Sequence, residues 1–117
     1  AEVKTEPVIS PFDEALDGLR KLKSENMETK PYHTRLADIF RMYVYRKKGL
    51  LSLQKTTDDL VLQLRELGLS KNDFDELAQV LRLGDFVKFA RFIPSPTDND
   101  KAFDTIKKSI EKIEQLN

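Results

Sequence analysis

The stretch PYHTRLADIFRMYVYRKKG, residues 31–49, decides the fold class of this chain. Its apolar residues recur every three or four positions, which is the spacing of one helix face. These residues are Tyr32, Leu36, Ile39, Phe40, Tyr43 and Val44. Three basic residues and then Gly49 follow the pattern, as is typical of a helix C-terminus. The stretch therefore predicts a helix from near Pro31 to Lys48.

Helical patterns continue on both sides of this stretch. Ser10-Pro11 opens a first helix, because Ser is a favoured N-cap and Pro fits the first helical position. Thr56, Ser70 and Thr97 are the predicted caps of three later helices, each with acidic residues in its first turn. The apolar stripes of these four helices are Phe12, Leu16, Leu19 and Leu22; Leu60, Val61, Leu64 and Leu67; Phe74, Leu77, Ala78 and Leu81; and Phe103, Ile106, Ile110 and Ile113.

Two connecting segments are less regular. The apolar residues 50–53 predict a short non-helical connector that tucks into the core. Gly84 interrupts the fourth stripe, so residues 85–92 predict a short helix that continues from Gly84 with a change of direction. An extended conformation is the alternative for this segment.

Together these patterns predict an all-α fold, a compact single-domain bundle of five to six helices. Residues 10–117 form the helical domain, and the polar residues 1–9 are expected to be a flexible linker or membrane tether. A chain of 117 residues is long enough to bury a core. The expected core consists of Leu16, Leu19, Leu36, Ile39, Phe40, Leu60, Leu64, Phe74, Leu77, Leu81, Phe89, Phe103, Ile106 and Ile110.

The composition excludes several kinds of site. Lys plus Arg and Asp plus Glu are both 20, so the net charge is zero and there is no overall basic surplus for nucleic acid or anionic lipid. The absence of cysteine rules out disulfides and thiolate sites. No apolar run approaches the ~20 residues of a membrane span. Because the first residue is Ala1 and not Met, we expect the natural chain to extend upstream.

No catalytic constellation is visible. His33 is the only histidine, and no partner at ligand spacing or nucleophile motif accompanies it, so a surface histidine is expected. The acidic pairs Asp58-Asp59 and Asp98/Asp100 are explained by helix N-termini. The four glycines are isolated and form no phosphate loop. The sequence predicts no enzyme, no metal and no cofactor.

The densest basic patch combines Arg41 with Arg46, Lys47 and Lys48. The preferred interpretation is compensation of the helix dipole on a solvated face. A contact with an anionic membrane surface is the alternative, and nucleic acid is a weaker one.

The cluster Phe86, Phe89 and Phe92 lies beside Lys88 and Arg91. Core packing is the favoured interpretation. If the segment were exposed, these five residues would instead form an apolar site for a protein partner.

The third and fourth helices, joined at residues 68–70, could imitate a helix-turn-helix that binds nucleic acid. The second helix of that pair begins with Asp73, Asp75 and Glu76, which would repel phosphates. An ordinary αα-hairpin is expected, and a nucleic-acid-binding regulator is the alternative function.

Three segments carry a family resemblance: KPYHTRL at residues 30–36, LQKTTDDL at 53–60 and DFVKFA at 85–90. With the leading Leu-rich helix and the aromatic-basic end of the second helix, they make the chain resemble the cytoplasmic helical region of membrane proteins from Bacteroides aerotolerance (Bat) clusters. The resemblance spans about residues 11–116.

The resemblance implies a context and no active site. Such proteins look like membrane-anchored accessory components, encoded beside MoxR-type AAA+ ATPases and von Willebrand factor A domain proteins. It implies a transmembrane helix upstream of Ala1, a domain on the cytoplasmic side of the inner membrane, and protein partners of those two kinds. The predicted function is a non-catalytic protein-interaction domain in aerotolerance or envelope stress.

Overall fold

The computed structural model describes residues 9–89 and 91–116. These residues form five α-helices: α1 (Pro11–Ser24), α2 (Thr29–Lys48), α3 (Thr57–Leu64), α4 (Lys71–Lys88) and α5 (Pro96–Gln115). Short 3₁₀ turns lie at Ser52–Gln54 and Arg65–Leu67. The predicted all-α bundle is confirmed. The predicted tether, residues 1–9, lies outside the described residues except for Ile9.

All five helices contribute buried residues to the core. α2 packs against α1, α4 and α5, α5 in turn packs against α1 and α4, and α3 lies on α4. Phe40 and Val44 of α2 and Ile106 and Ile110 of α5 have no measurable exposure. Most of the predicted core is confirmed, with Leu16, Ile39 and Phe74 packed at its margin.

A Ser or Thr side chain caps the N-terminus of each of four helices through a local hydrogen bond. The side chains of Ser10, Thr56 and Ser70 each accept from the backbone N–H three residues ahead, which confirms these three caps. The prediction of Thr97 as the last cap is wrong. Ser95 caps α5, and Pro96 follows it as the first residue of the helix. The Asp98 side chain accepts a hydrogen bond from the Ser95 N–H, which completes a capping box.

The two irregular segments also differ from expectation. α4 runs through Gly84 to Lys88 without a break, because helix packing tolerates a glycine that propensity alone disfavours. The helical prediction is therefore confirmed for residues 85–88, and the predicted change of direction at Gly84 is wrong. In the connector only Ser52 is fully buried, while Leu51 and Leu53 are exposed, so its predicted burial is wrong for those leucines.

Polar contacts fasten α2 and α4 to α5. The Tyr43 hydroxyl donates to Glu114 Oε1 at 2.8 Å, and Lys47 Nζ lies 3.3 Å from Glu114 Oε2. Burial, and then the carboxylate acceptor, raise the pKa of Tyr43. Between α4 and α5, Lys108 Nζ lies 3.2 Å from Asp73 Oδ1. This contact lowers the pKa of the Asp73 carboxyl and raises that of the Lys108 ammonium.

We expect Ser95→Ala to lower the free energy of unfolding by about 1 kcal/mol, because it removes the oxygen that caps α5. Thr97→Ala is the matched control, since Thr97 is exposed inside the first turn, and it should change stability by less than about 0.5 kcal/mol. Urea unfolding of both variants measures the difference. The reverse order would contradict the assigned cap.

We expect Asp73→Asn to destabilise the chain at neutral pH and to have progressively less effect in acid. A carboxyl whose pKa is lowered by folding stabilises the fold above its unfolded pKa, near 3.8, and that contribution disappears as the pH falls through the folded pKa. Urea unfolding at a series of pH values from neutral to strongly acidic tests this. Glu111→Gln on the exposed face of α5 is the control and should show no such pH-dependent difference.

Candidate functional site

A groove lies between α2 and the second half of α4, with the connector before α3 at one side. We call it the α2–α4 groove. Its volume is about 400 Å³. It is lined by His33, Thr34, Ala37, Asp38 and Arg41 of α2, by Leu53, Lys55, Thr56 and Thr57, and by Leu81, Gly84, Asp85, Lys88 and Phe89 of α4. Small side chains such as Ala37, together with Gly84, leave this cleft open between two packed helices.

Arg41 is held in the wall of the groove by neutral oxygens. Its Nη1 donates to the carbonyls of Ser52 and Lys55, both at 2.6 Å, and its Nη2 donates to Thr57 Oγ1 at 3.3 Å. The Ser52 hydroxyl donates back to the Arg41 carbonyl at 2.6 Å. The guanidinium thereby fixes the connector onto α2. No carboxylate of the described residues lies within ion-pair distance of it.

The other charged side chains of the groove also lack ion pairs within the described part of the chain. Asp38, Lys55 and Asp85 make no side-chain hydrogen bond or salt bridge, and Lys88 makes only a cation–π contact with the Phe89 ring, 5.9 Å from its centroid. Elsewhere opposite charges do meet, as in Arg46 with Glu14 at 3.1 Å. The groove thus gathers charges that the fold itself leaves uncompensated.

Beside the groove, the end of α4 carries an exposed apolar segment, which we call the aromatic ridge: Phe86, Phe89, Phe92 and Ile93. Their exposed fractions are 54%, 66%, 45% and 87%. The favoured interpretation of these phenylalanines as core is therefore wrong. The candidate partner residues Lys88 and Arg91 are exposed as well.

The helix position of Phe86 explains the error. With 3.6 residues per turn, Phe86 lies roughly 140° around α4 from the buried Leu81. A sequence reading that kept α4 intact through Gly84 would have placed this side chain opposite the core. Backbone contacts then fix the ridge, since the N–H groups of Phe89 and Arg91 donate to the carbonyls of Asp85 and Phe86 at 3.0 and 2.9 Å.

His33 is buried, with 2% exposure, so the prediction of a surface histidine is wrong. Its Nε2 lies 2.7 Å from Asn99 Oδ1 of α5, and the Tyr32 ring meets its ring edge-on at 5.7 Å between centroids. A buried polar ring needs such a partner, and sequence could not show one 66 residues away. His33 joins α2 to α5 at the inner end of the groove.

The residues of the predicted basic patch contact different parts of the fold. Arg41 faces the connector, Arg46 also donates to the Ile9 carbonyl at 2.7 Å, and Lys47 reaches Glu114. Lys48 is partly buried. Arg46 and Lys47 therefore tie α2 to α1 and α5, and a membrane contact through this patch stays a prediction.

Within residues 9–89 and 91–116, no group of three or more His, Asp or Glu side chains is placed to hold a metal ion. Within the same ranges, no helix combines the length and apolar character needed to cross a membrane.

Comparison of the chain with protein-family models, with curated proteins and with solved structures finds no match. The candidate site therefore rests on the geometry of the groove and the ridge.

We expect Gly84→Ala to raise the free energy of unfolding by about 0.5–1 kcal/mol. A Cβ at this helical position would meet no atom within 4 Å, so only the gain in helix propensity remains. Gly49→Ala is the contrasting control, because Gly49 has a φ of +70°, and alanine there should cost about 1 kcal/mol. Thermal unfolding followed by circular dichroism distinguishes the two. A destabilising Gly84→Ala would contradict the open groove.

Proposed function

We propose that this chain is a non-catalytic protein-interaction domain that binds a partner protein through the aromatic ridge and the adjoining α2–α4 groove. The single observation that carries the proposal is the exposure of Phe86 and Phe89 next to a groove, in a bundle that buries its other large apolar stripes.

The size of the ridge supports this function. With about 200 Å² for a fully exposed phenylalanine, the ridge exposes on the order of 500 Å² of apolar surface. This much apolar surface exposed within one short segment is typical of interaction sites. Val87, between Phe86 and Phe89, and Pro94, directly after Ile93, are buried and so anchor the segment that carries the ridge. Phenylalanine and arginine are both enriched at protein interfaces.

The proposed context follows the family resemblance. The domain would belong to a membrane-anchored accessory protein, on the cytoplasmic side of the inner membrane, and would serve in aerotolerance or envelope stress. A MoxR-type AAA+ ATPase or a von Willebrand factor A domain protein would be its partner. Contacts of an anchored domain with such proteins require a fixed, exposed surface, and the ridge supplies one.

The alternative of a helix-turn-helix regulator is less well supported. In the first turns of α4, Lys71 is paired with Asp75 at 2.9 Å, and Asp73 and Glu76 flank Lys108. This surface offers carboxylates where a DNA phosphate would lie, and the net charge of the chain is zero.

The double variant Phe86→Ser/Phe89→Ser should lose its partner while keeping its fold, because both side chains are exposed. The measurement is affinity capture with the tagged chain from lysate of the cells that make it, with and without ATP, and quantitative mass spectrometry. We expect recovery of an ATPase or von Willebrand factor A domain protein to fall at least about tenfold, as for loss of a hot spot.

Leu62→Ser is the matched control for that capture. Leu62 is 57% exposed on α3 and lies outside both the ridge and the groove. This variant should recover the partner as the natural chain does. Equal recovery by the double variant and the control would overturn the proposal, and so would the absence of any protein enriched by the natural chain.

A further inference from the structure

We infer that the α2–α4 groove binds a short apolar segment of a partner protein that carries a carboxylate, with the carboxylate placed at Arg41 and the segment lying across Gly84. The inference rests on the proposed interaction function and adds the chemistry of the bound segment.

The charge of Arg41 points to a carboxylate. A guanidinium stays protonated in proteins and has five N–H donors. Three hydrogen bonds link the Arg41 guanidinium to neutral oxygens. The side chain is already partly buried. A partner that covered the groove would remove more water from this charge, which is costly unless the partner supplies an opposite charge.

The remaining charges agree with that assignment. Lys55 and Lys88 lie on opposite sides of the groove and have no carboxylate partner within the described residues. The lining contains three cationic side chains, Arg41, Lys55 and Lys88, and two acidic ones, Asp38 and Asp85. The cationic groups therefore outnumber the acidic ones by one, and attraction favours an acidic segment.

Gly84 provides an observation independent of charge. A glycine within a helix weakens that helix, and here no atom of the described structure within 4 Å would obstruct a Cβ. Packing inside the fold therefore gives no reason for a glycine at this position. Glycine is the usual residue where the backbone must lie close to a ligand, and Gly84 lines the groove.

The apolar part of the segment would contact Phe89 and Leu53. These side chains lie on α4 and on the connector, both line the groove, and they are 66% and 46% exposed. A leucine or phenylalanine placed between them would bury apolar surface on both walls. Apolar contact and one carboxylate together define the class of partner segment.

The test uses three pools of fluorescent short peptides with Leu, Ile, Val or Phe at fixed apolar positions. The pools differ only at the intervening charged positions, which carry Glu, Gln or Lys. Fluorescence anisotropy gives affinity, and amide chemical shifts of the labelled chain give the place of binding. We expect the Glu pool to bind about tenfold more tightly than the Gln pool, with shifts at Gly84 and Arg41.

Two variants separate the charge from the shape of the site. Lys55→Glu/Lys88→Glu, both without ion pairs, should reverse the preference so that the Lys pool binds more tightly than the Glu pool. Gly84→Leu should weaken all pools by filling the groove, while its circular dichroism melt shows a folded chain. Neither variant changes Arg41, whose loss would also release the connector.

Equal binding of the Glu and Gln pools would overturn the inference, as would binding that leaves the Gly84 amide unshifted. Shifts at Gly84 that grow with chain concentration in the absence of peptide would also overturn it, because the occupant would then be a second copy of this chain. If these results occurred while capture still depended on Phe86 and Phe89, the proposed interaction function would stand and only the assigned partner chemistry would fail.

Discussion

Burial of the apolar face of α2 is the constraint on which the rest of the structure depends. Leu36, Phe40, Tyr43 and Val44 are within 1% of complete burial, and the helix that carries them touches α1, α4 and α5. Removing this much apolar surface from water supplies a large share of the folding free energy. The polar contacts of α2, including Tyr43 with Glu114 and His33 with Asn99, then fix how α5 lies against it.

The same packing creates the candidate site. Because one face of α2 is committed to the core, the adjoining face that carries Ala37, Asp38 and Arg41 is left beside α4. The Arg41 guanidinium holds the connector, and Gly84, which has no side chain, leaves space on the α4 side of the groove. The groove therefore results from the way α2, α4 and the connector pack together. Its charged side chains form no ion pairs within the described residues.

Charged side chains that form ion pairs and charged side chains that form none lie on different parts of the surface. Arg46, Lys47 and Lys108 neutralise acidic residues of neighbouring helices and so contribute to the arrangement of the bundle. Around the groove, Arg41 holds the connector through neutral oxygens, and the other charged side chains make no ion pair within the described residues. Together with the exposed phenylalanines, they lie at the end of α4, where we propose that a partner binds.

The sequence by itself determined the helices and most of their beginnings, because stripe spacing and N-caps depend on residues within one or two turns of each other. Ser95-Pro96 repeats the Ser10-Pro11 pattern, so even the missed cap of α5 was readable. Only the tertiary structure decided that His33 is buried against α5, that Arg41 binds the connector, and that no element within the described residues covers Phe89. The outward position of Phe86, in contrast, follows from its place on an unbroken α4. The first three depend on contacts between separate segments of the chain, and an apolar side chain is buried only where another element covers it.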